Sequence, residues 1–254
     1  AARKNNYQIF APTHDAFDIA GLSQREVIDC LRRERPGFVV LPAALTDVDW
    51  CENPGNRKIV WETNIKGAVT LAMGCFELGI PFGYISSDYV LSGDHYPHRE
   101  GEEISPVNSV YAQSKAEAEK ELIALGGEIH IIRIQRPFSD DLTIKRSDMI
   151  RDALRVNREG KPFYGITDQM ITPIYTTDVA KAILNIMRSQ MYGIWHVSSS
   201  KPVSPYEFVK MAFEELEGEG VAINWDLFRE GKFRDFKDRW KAPRPRHTAF
   251  DVSK

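Results

Sequence analysis

Three residues in this chain stand at a spacing that could reduce a carbonyl. Ser87 closes the apolar run that begins Phe82-Gly83-Tyr84-Ile85, Tyr111 follows 24 residues later, and Lys115 comes four residues after that. The run Ser114–Leu125 has helical composition, and residues four apart share a helix face, so Tyr111 and Lys115 can sit one turn apart. With Ser87 beside that face, a hydroxyl orients a ketone, a phenol gives up a proton and an ammonium lowers the phenol's pKa. That is the machinery for reducing a ketone with a nicotinamide hydride. The same Y-x-x-x-K pattern recurs at Tyr206–Lys210, but it follows Pro205 with no serine-bearing strand end at the matching distance. We read that copy as core plus a solvated lysine. Asp88 reads as a cap on the turn after the strand, and His196, on an apolar run, as a satisfied core histidine. His95 and His98 lie in a polar loop with Tyr96 and are candidates for touching substrate.

The elements that must hold these residues alternate. Strands are expected over Tyr7–Phe10, Phe38–Leu41, Phe82–Ile85, Glu128–Ile134 and Ile194–Val197. Helices are expected over Gln24–Arg35, Ile59–Leu78, Ala116–Leu125, Ser147–Arg158, Thr177–Gln190 and Ser204–Leu216. Ser23 with Glu26 forms a capping box, Gly79 and Pro81 stop the second helix, and Pro205 opens the last. Such alternation predicts an α/β fold, a Rossmann-like doubly wound parallel sheet with a small C-terminal substrate-binding domain. The division expected is 1–140 and 172–200 for the dinucleotide-binding unit, and 141–171 and 201–254 for the substrate-binding unit.

Composition sets bounds. The chain has 254 residues, 43% apolar and 27% charged, in the ordinary range for a globular protein with a substantial core. A net charge of −3 gives no general attraction to nucleic acid or to an anionic membrane. There is no long apolar run and no basic-then-apolar leader. Cys30, Cys51 and Cys75 lack metal-ligand spacing and read as reduced thiols of a cytoplasmic protein, with no metal site expected. The stretch Arg229–His247 departs from the rest, with eight Lys or Arg against three acidic residues. It reads either as a solvated irregular tail or as a clamp on an anionic substrate such as a nucleotide diphosphate.

A dinucleotide-binding fold of this kind opens with a strand, a glycine-rich turn and a helix. Here Gly21 is the first glycine and stands alone. The first β–α unit is therefore read as absent from the chain, and a G-x-x-G-x-x-G turn is expected upstream of Ala1 in the folding unit.

With these residues laid out, the chain resembles the extended short-chain dehydrogenase/reductases, and within them most of all the dTDP-4-dehydrorhamnose reductase family. Phe17-Asp18-Ile19 resembles that family's aspartate after the second strand, and Ala43-Ala44-Leu45-Thr46 its loop beside the cofactor. Asn64 and Gly67 match N-x-x-G, and Ser86-Ser87-Asp88-Tyr89-Val90 with Gly93 matches S-T-D-Y-V-F-x-G with serine for threonine. Pro106, Asn108, Tyr111, Ser114 and Lys115 match P-x-N-x-Y-x-x-[ST]-K with one extra residue before the tyrosine. Asp168-Gln169 with Pro173, Trp195-His196-Val197 and Arg244-Pro245 also fit.

The resemblance implies NADP(H) or NAD(H) as cofactor and a nucleotide-linked 4-keto-6-deoxysugar as substrate, with a homodimer possible. It implies Tyr111 as general acid, Lys115 on the nicotinamide ribose and Ser87 on the carbonyl. Asp18, Ala43, Ala44, Asn64 and Pro137 would join Tyr111 and Lys115 at the cofactor. Ser87, Asp88, Tyr89, Arg136, Gln169, Arg244 and Arg246 would meet the substrate. One departure falls in the sugar pocket: Arg133-Ile134-Gln135-Arg136 stands where the family has R-T-S-W. Two alternatives share the Tyr–Lys pair, a nucleotide-sugar epimerase and a non-catalytic binding subunit similar to the regulatory beta subunit of methionine adenosyltransferase. A dehydratase would need Glu after Asp88, where this chain has Tyr89.

Overall fold

Short apolar runs separated by amphipathic stretches can bury their backbone only by pairing side by side under helices, and the chain does so. The structure, a computed structural model, describes residues 7–141, 148–189 and 191–254. In chain order the elements are α1 (Gln24–Glu34), β1 (Val39–Leu41), α2 (Val48–Cys51), α3 (Arg57–Trp61), α4 (Ala68–Glu77), β2 (Phe82–Ser87), α5 (Val110–Leu125) and β3 (Ile129–Ile134). There follow β4 (Pro137–Phe138), α6 (Met149–Arg158), β5 (Phe163–Ile166), β6 (Ile174–Tyr175), α7 (Thr176–Arg188), β7 (Gly193–Val197), α8 (Pro205–Gly218) and β8 (Phe228–Gly231).

Four strands pair in parallel in the order β1-β2-β3-β7, with Val39 opposite Phe82, Ser87 opposite Ile134 and Arg133 opposite His196. A parallel sheet is covered on both faces, which is why its strands read as continuous apolar runs. One face carries Phe82, Tyr84 and Ile131 against Val27, Leu71, Ala72 and Leu122 from α1, α4 and α5. The other sets Ile132 and Val197 against Val179 and Ile186 of α7. The fold is the expected Rossmann-like parallel sheet with helices on both faces. A separate core gathers Ala153 of α6, Val209 and Phe213 of α8 and Phe228 of β8. There β5 pairs in parallel with β8, Phe163 opposite Phe228.

Several expectations are corrected. Tyr7–Phe10 forms no strand; a β segment needs a ladder partner, and instead the Tyr7 ring packs edge-on against Phe38 at 6.0 Å. The long helix expected from Ile59 begins at Arg57 and passes through a wide π turn over Glu62–Gly67 before continuing as α4. Such turns are rare and mark functional sites more often than chance. Helix α5 starts at Val110 rather than Ala116, because the Ser109 hydroxyl caps it by accepting from the Ala112 N–H. The basic tail is not irregular throughout, since it contributes most of β8 and a 3₁₀ turn at Phe233–Phe236. Ser147 and Gln190, expected as helix ends, lie outside the described residues. Among the described residues no helix is long and apolar enough to cross a membrane.

Candidate active site

The carboxyl ends of β1, β2 and β3 open on one edge of the sheet, the edge at which doubly wound folds bind ligands. Ala43 and Ala44 follow β1, Ser87 closes β2, and Gln135, Arg136 and Pro137 follow β3. Helix α5 packs over β2 and delivers Tyr111 and Lys115 to that edge. Lys115 is 2% exposed, and its Nζ donates to the Ile85 carbonyl at 2.7 Å and lies 3.9 Å from the centre of the Tyr84 ring. Among the described residues no carboxylate makes an ion pair with it. Burial pushes its pKa down to about 7, against a smaller opposing pull from Glu119 one turn on. An ammonium has three donors, so two remain to meet a ligand. Tyr111 lies in the first turn of α5, buried and edge-on to Tyr89 with ring centres 5.4 Å apart.

Ser87, not Asp88, caps the turn after β2: its Oγ accepts from the Tyr89 N–H at 3.3 Å and donates to Asp88 at 2.9 Å. This corrects the expected cap, and the reason is that a strand-terminal hydroxyl already faces the turn's first free N–H. For Ser87 to donate to a substrate oxygen, its bond to Asp88 must be exchanged. The other Asp88 oxygen accepts from Gln135 Nε2 at 3.0 Å. Gln135 is fully buried and also bonds Thr248, whose carbonyl lies at 2.6 Å, and the Thr172 hydroxyl at 2.9 Å. It thus ties the end of β3, the C-terminal segment and Asp88 together. Sequence reasoning missed it, and only its polarity after an apolar strand hinted at a task.

Asn64 lies within the π turn. Its amide accepts from the Leu45 N–H at 2.8 Å and donates to the Leu45 carbonyl and the Ser114 hydroxyl, both at 3.0 Å. Ser114 in turn donates to the Tyr111 carbonyl at 2.8 Å, so the loop after β1 and the first turn of α5 are joined through one buried side chain. Gly67 permits the approach of this helix to the loop at Ile19, where an added Cβ would meet the Ile19 carbonyl oxygen at 2.5 Å. Asp18, just before, is exposed and accepts from the Ala20 N–H at 3.0 Å. Ala43 and Pro137 are exposed, and Arg136 is half-buried with a left-handed φ of 42°, a conformation that costs of order 1–3 kcal/mol and clusters at ligand sites.

Beside this edge lies a cavity of about 930 Å³ whose lining includes Lys232, Lys237, Trp240, Lys241, Arg244 and Arg246. Arg244 and Arg246, expected to meet the substrate, each already have a carboxylate partner. Arg244 pairs with Asp49 at 2.9 Å and donates to the Tyr89 hydroxyl at 3.3 Å. Arg246 pairs with Asp168 at 2.6 Å. Gln169, expected at the substrate, is buried and donates to the Pro245 carbonyl at 3.2 Å, so it positions the tail. Gly93, at φ 73°, lets the loop after β2 touch that tail, since a Cβ there would lie 2.4 Å from Pro245 Cβ. Val107 lines the cavity, and with Tyr89 it packs in the cluster that holds Tyr111. The cationic cavity and the Ser–Tyr–Lys group therefore adjoin.

For a nicotinamide dinucleotide the fit is partial. The two spare donors of buried Lys115 suit the hydroxyls of a ribose, and Ala43 and Ala44 leave the edge uncrowded. Among the described residues there is no glycine-rich strand-to-helix turn to seat a pyrophosphate.

The family described as the RmlD substrate binding domain matches residues 1–254. The chain is 29% identical over 247 residues to a spore coat polysaccharide biosynthesis protein of Bacillus subtilis, covering 97% of this chain and 81% of that one. It is 25% identical to the dTDP-4-dehydrorhamnose reductase of Aggregatibacter actinomycetemcomitans, covering 98% and 83%. Its fold is similar to that of the dTDP-4-dehydrorhamnose reductase of Bacillus anthracis solved with NADP, with a TM-score of 0.85, 24% identity and coverage of 98% and 83%.

Proposed function

Because the chain belongs to the RmlD substrate binding domain family, we propose that it reduces the keto group of a nucleotide-linked 4-keto-6-deoxysugar with NADPH or NADH. The observation that carries this reading is Lys115, a buried ammonium one turn after a buried tyrosine, with a backbone carbonyl as its hydrogen-bond partner. A bound reduced nicotinamide supplies the hydride. Tyr111 gives its phenolic proton to the carbonyl oxygen as the ketone becomes an alcohol. Lys115 holds the nicotinamide ribose with its spare donors and favours the phenolate by its charge. Ser87 orients the carbonyl once its hydroxyl turns from Asp88. The cations of the 930 Å³ cavity neutralise the diphosphate. In this reading the four-stranded sheet serves the cofactor, and the core around Phe213 and Phe228 carries the substrate-binding unit. The three cysteines are unpaired and buried, which supports a reducing, cytoplasmic setting.

The test is to incubate the full-length protein with a dTDP-4-keto-6-deoxysugar and NADPH or NADH and follow loss of reduced-nicotinamide absorbance. Stoichiometric conversion of ketone to alcohol is expected. Cofactor and sugar binding without conversion would replace the reductase by a binding subunit, and inversion without net oxidation of cofactor would replace it by an epimerase.

A further inference from the structure

The loop after β2 holds three ligand-type side chains that the reduction does not use. His95 Nε2 lies 3.3 Å from Glu102 Oε2, and His98 Nδ1 lies 2.6 Å from the same oxygen. The ligand atoms of all three residues lie within 4.8 Å of one another. Each is also held from behind by a separate partner. His95 Nδ1 faces Asp94 at 2.8 Å, His98 Nε2 faces the His247 carbonyl at 3.1 Å, and Glu102 Oε1 accepts from the Arg99 N–H at 2.8 Å. An imidazole whose far nitrogen donates to a carboxylate or a carbonyl, leaving the near nitrogen free to ligate, is the usual arrangement around a bound metal.

The contacts leave two proton positions that one cation could fill. Each imidazole has both nitrogens against acceptors, while a neutral ring carries one N–H. Two imidazolium rings, 4.3 Å apart between centres, would satisfy the contacts with Asp94 and Glu102 offsetting their charges. One divalent ion would replace both missing protons. We propose that His95 Nε2, His98 Nδ1 and the Glu102 carboxylate bind a zinc-type divalent ion, with water in the fourth position. Ligands on a tetrahedral ion with bonds of about 2.0–2.1 Å sit roughly 3.3 Å apart, so the His95–Glu102 spacing already fits and the His98–Glu102 contact opens by a fraction of an ångström. Two nitrogens and one carboxylate favour zinc over magnesium or calcium, which take oxygen. The site is open on one side, because the His95 side chain is 56% exposed while that of His98 is fully buried.

Its place in the fold gives the ion a consequence. Through His98 it would fasten the loop to the C-terminal segment, where His98 N–H donates to the Ala249 carbonyl and Asp251 N–H to the His98 carbonyl. Asp94 and Arg246 of those two segments line the cationic cavity. The ion would thus stiffen one wall of that cavity without touching Ser87, Tyr111 or Lys115.

The experiment is a titration of chelator-stripped, full-length protein with Zn²⁺, read by calorimetry and by thermal unfolding, with Mg²⁺ in parallel. One Zn²⁺ per chain and a raised Tm are expected, with no response to Mg²⁺. His95→Ala, at an exposed position, and Glu102→Gln should each abolish the site, while His14→Ala retains it. Asp94→Asn should weaken binding by roughly 10- to 100-fold, the scale for a partner behind a ligand. Circular dichroism of His95→Ala checks that it is folded. Absence of a one-to-one site, or undiminished binding in folded His95→Ala or in Glu102→Gln, overturns the proposal.

Discussion

The chain carries Y-x-x-x-K twice, and the two copies come to rest in opposite surroundings. In α5, Tyr111 and Lys115 are both buried, and the lysine is held by a strand carbonyl and a ring face. In α8, Tyr206 stacks on Phe228 with ring centres 4.7 Å apart, and Lys210 pairs with Glu214 at the surface. The strand beneath explains the difference: α5 crosses β2 near Ser87, whereas α8 presses on β5. There an added Cβ at Gly165 would lie 2.6 Å from Tyr206 Cα. Burial alone does not mark the copy proposed to react. Arg133 is equally buried, yet Glu119 meets it at 2.7 Å and His196 at 3.3 Å, so its donors are spent on the fold. A buried cation left with spare donors is costly unless a ligand uses them, and Lys115 is that cation.

The comparison breaks most visibly in turnover. Tyr111→Phe is expected to lower the rate by roughly 10²-fold or more, the scale of general acid catalysis, with cofactor affinity nearly unchanged. Tyr206→Phe should leave turnover as it is, because its ring serves as a packing surface. Equal losses in steady-state assays of the two variants would abolish the distinction between the copies.

The lysines sharpen it through stability. Lys115→Met should remove turnover and weaken cofactor binding while stabilising the fold, because a buried ammonium without a carboxylate partner is costly to desolvate. Lys210→Met should change stability by less than about 0.5 kcal/mol. Denaturant titrations of both variants check this, and a destabilised Lys115→Met would mean that its ammonium holds the native fold together.

Next in size is the cavity beside the first copy. Replacing Arg244 and Arg246 together by alanine should raise the nucleotide-sugar KM by roughly tenfold or more, given charge-assisted bonds of about 1.5–3 kcal/mol. The KM for reduced nicotinamide should hardly move. Since both arginines also neutralise Asp49 and Asp168, a parallel rise in both constants would assign them to the tail's fold instead.

A slope with pH is a further consequence. The folded pKa of Lys115 is about 7, against 10.5 for an ordinary lysine. Between these values the unfolded chain holds more protons, so this residue's contribution to stability rises with pH. The Tm advantage of Lys115→Met should therefore be widest below pH 7 and narrow as pH rises towards 10.5. Thermal unfolding across that range measures it, and a gap that stayed constant would exclude a desolvated ammonium.

Much of this molecule is legible in the sequence. Alternating apolar runs foretold the parallel sheet, and the Ser23–Glu26 capping box placed the start of α1 correctly. The first copy of the motif stood apart from the second because Ser87 ends a strand upstream of it. These are interactions among residues close in sequence, which composition and spacing report directly. The partners of the basic tail were not legible. Arg244 meets Asp49 and Arg246 meets Asp168 across long stretches of chain, and no local pattern distinguishes a paired arginine from a free one. Nor could spacing show that Gln135 would join Asp88 to Thr248 and Thr172, or that the helix would widen at Asn64. By itself the sequence determined which side chains were available and which element carried each. Tertiary packing alone decided which charges were neutralised and which lysine was stripped of water, because desolvation and long-range pairing depend on what the rest of the chain brings alongside.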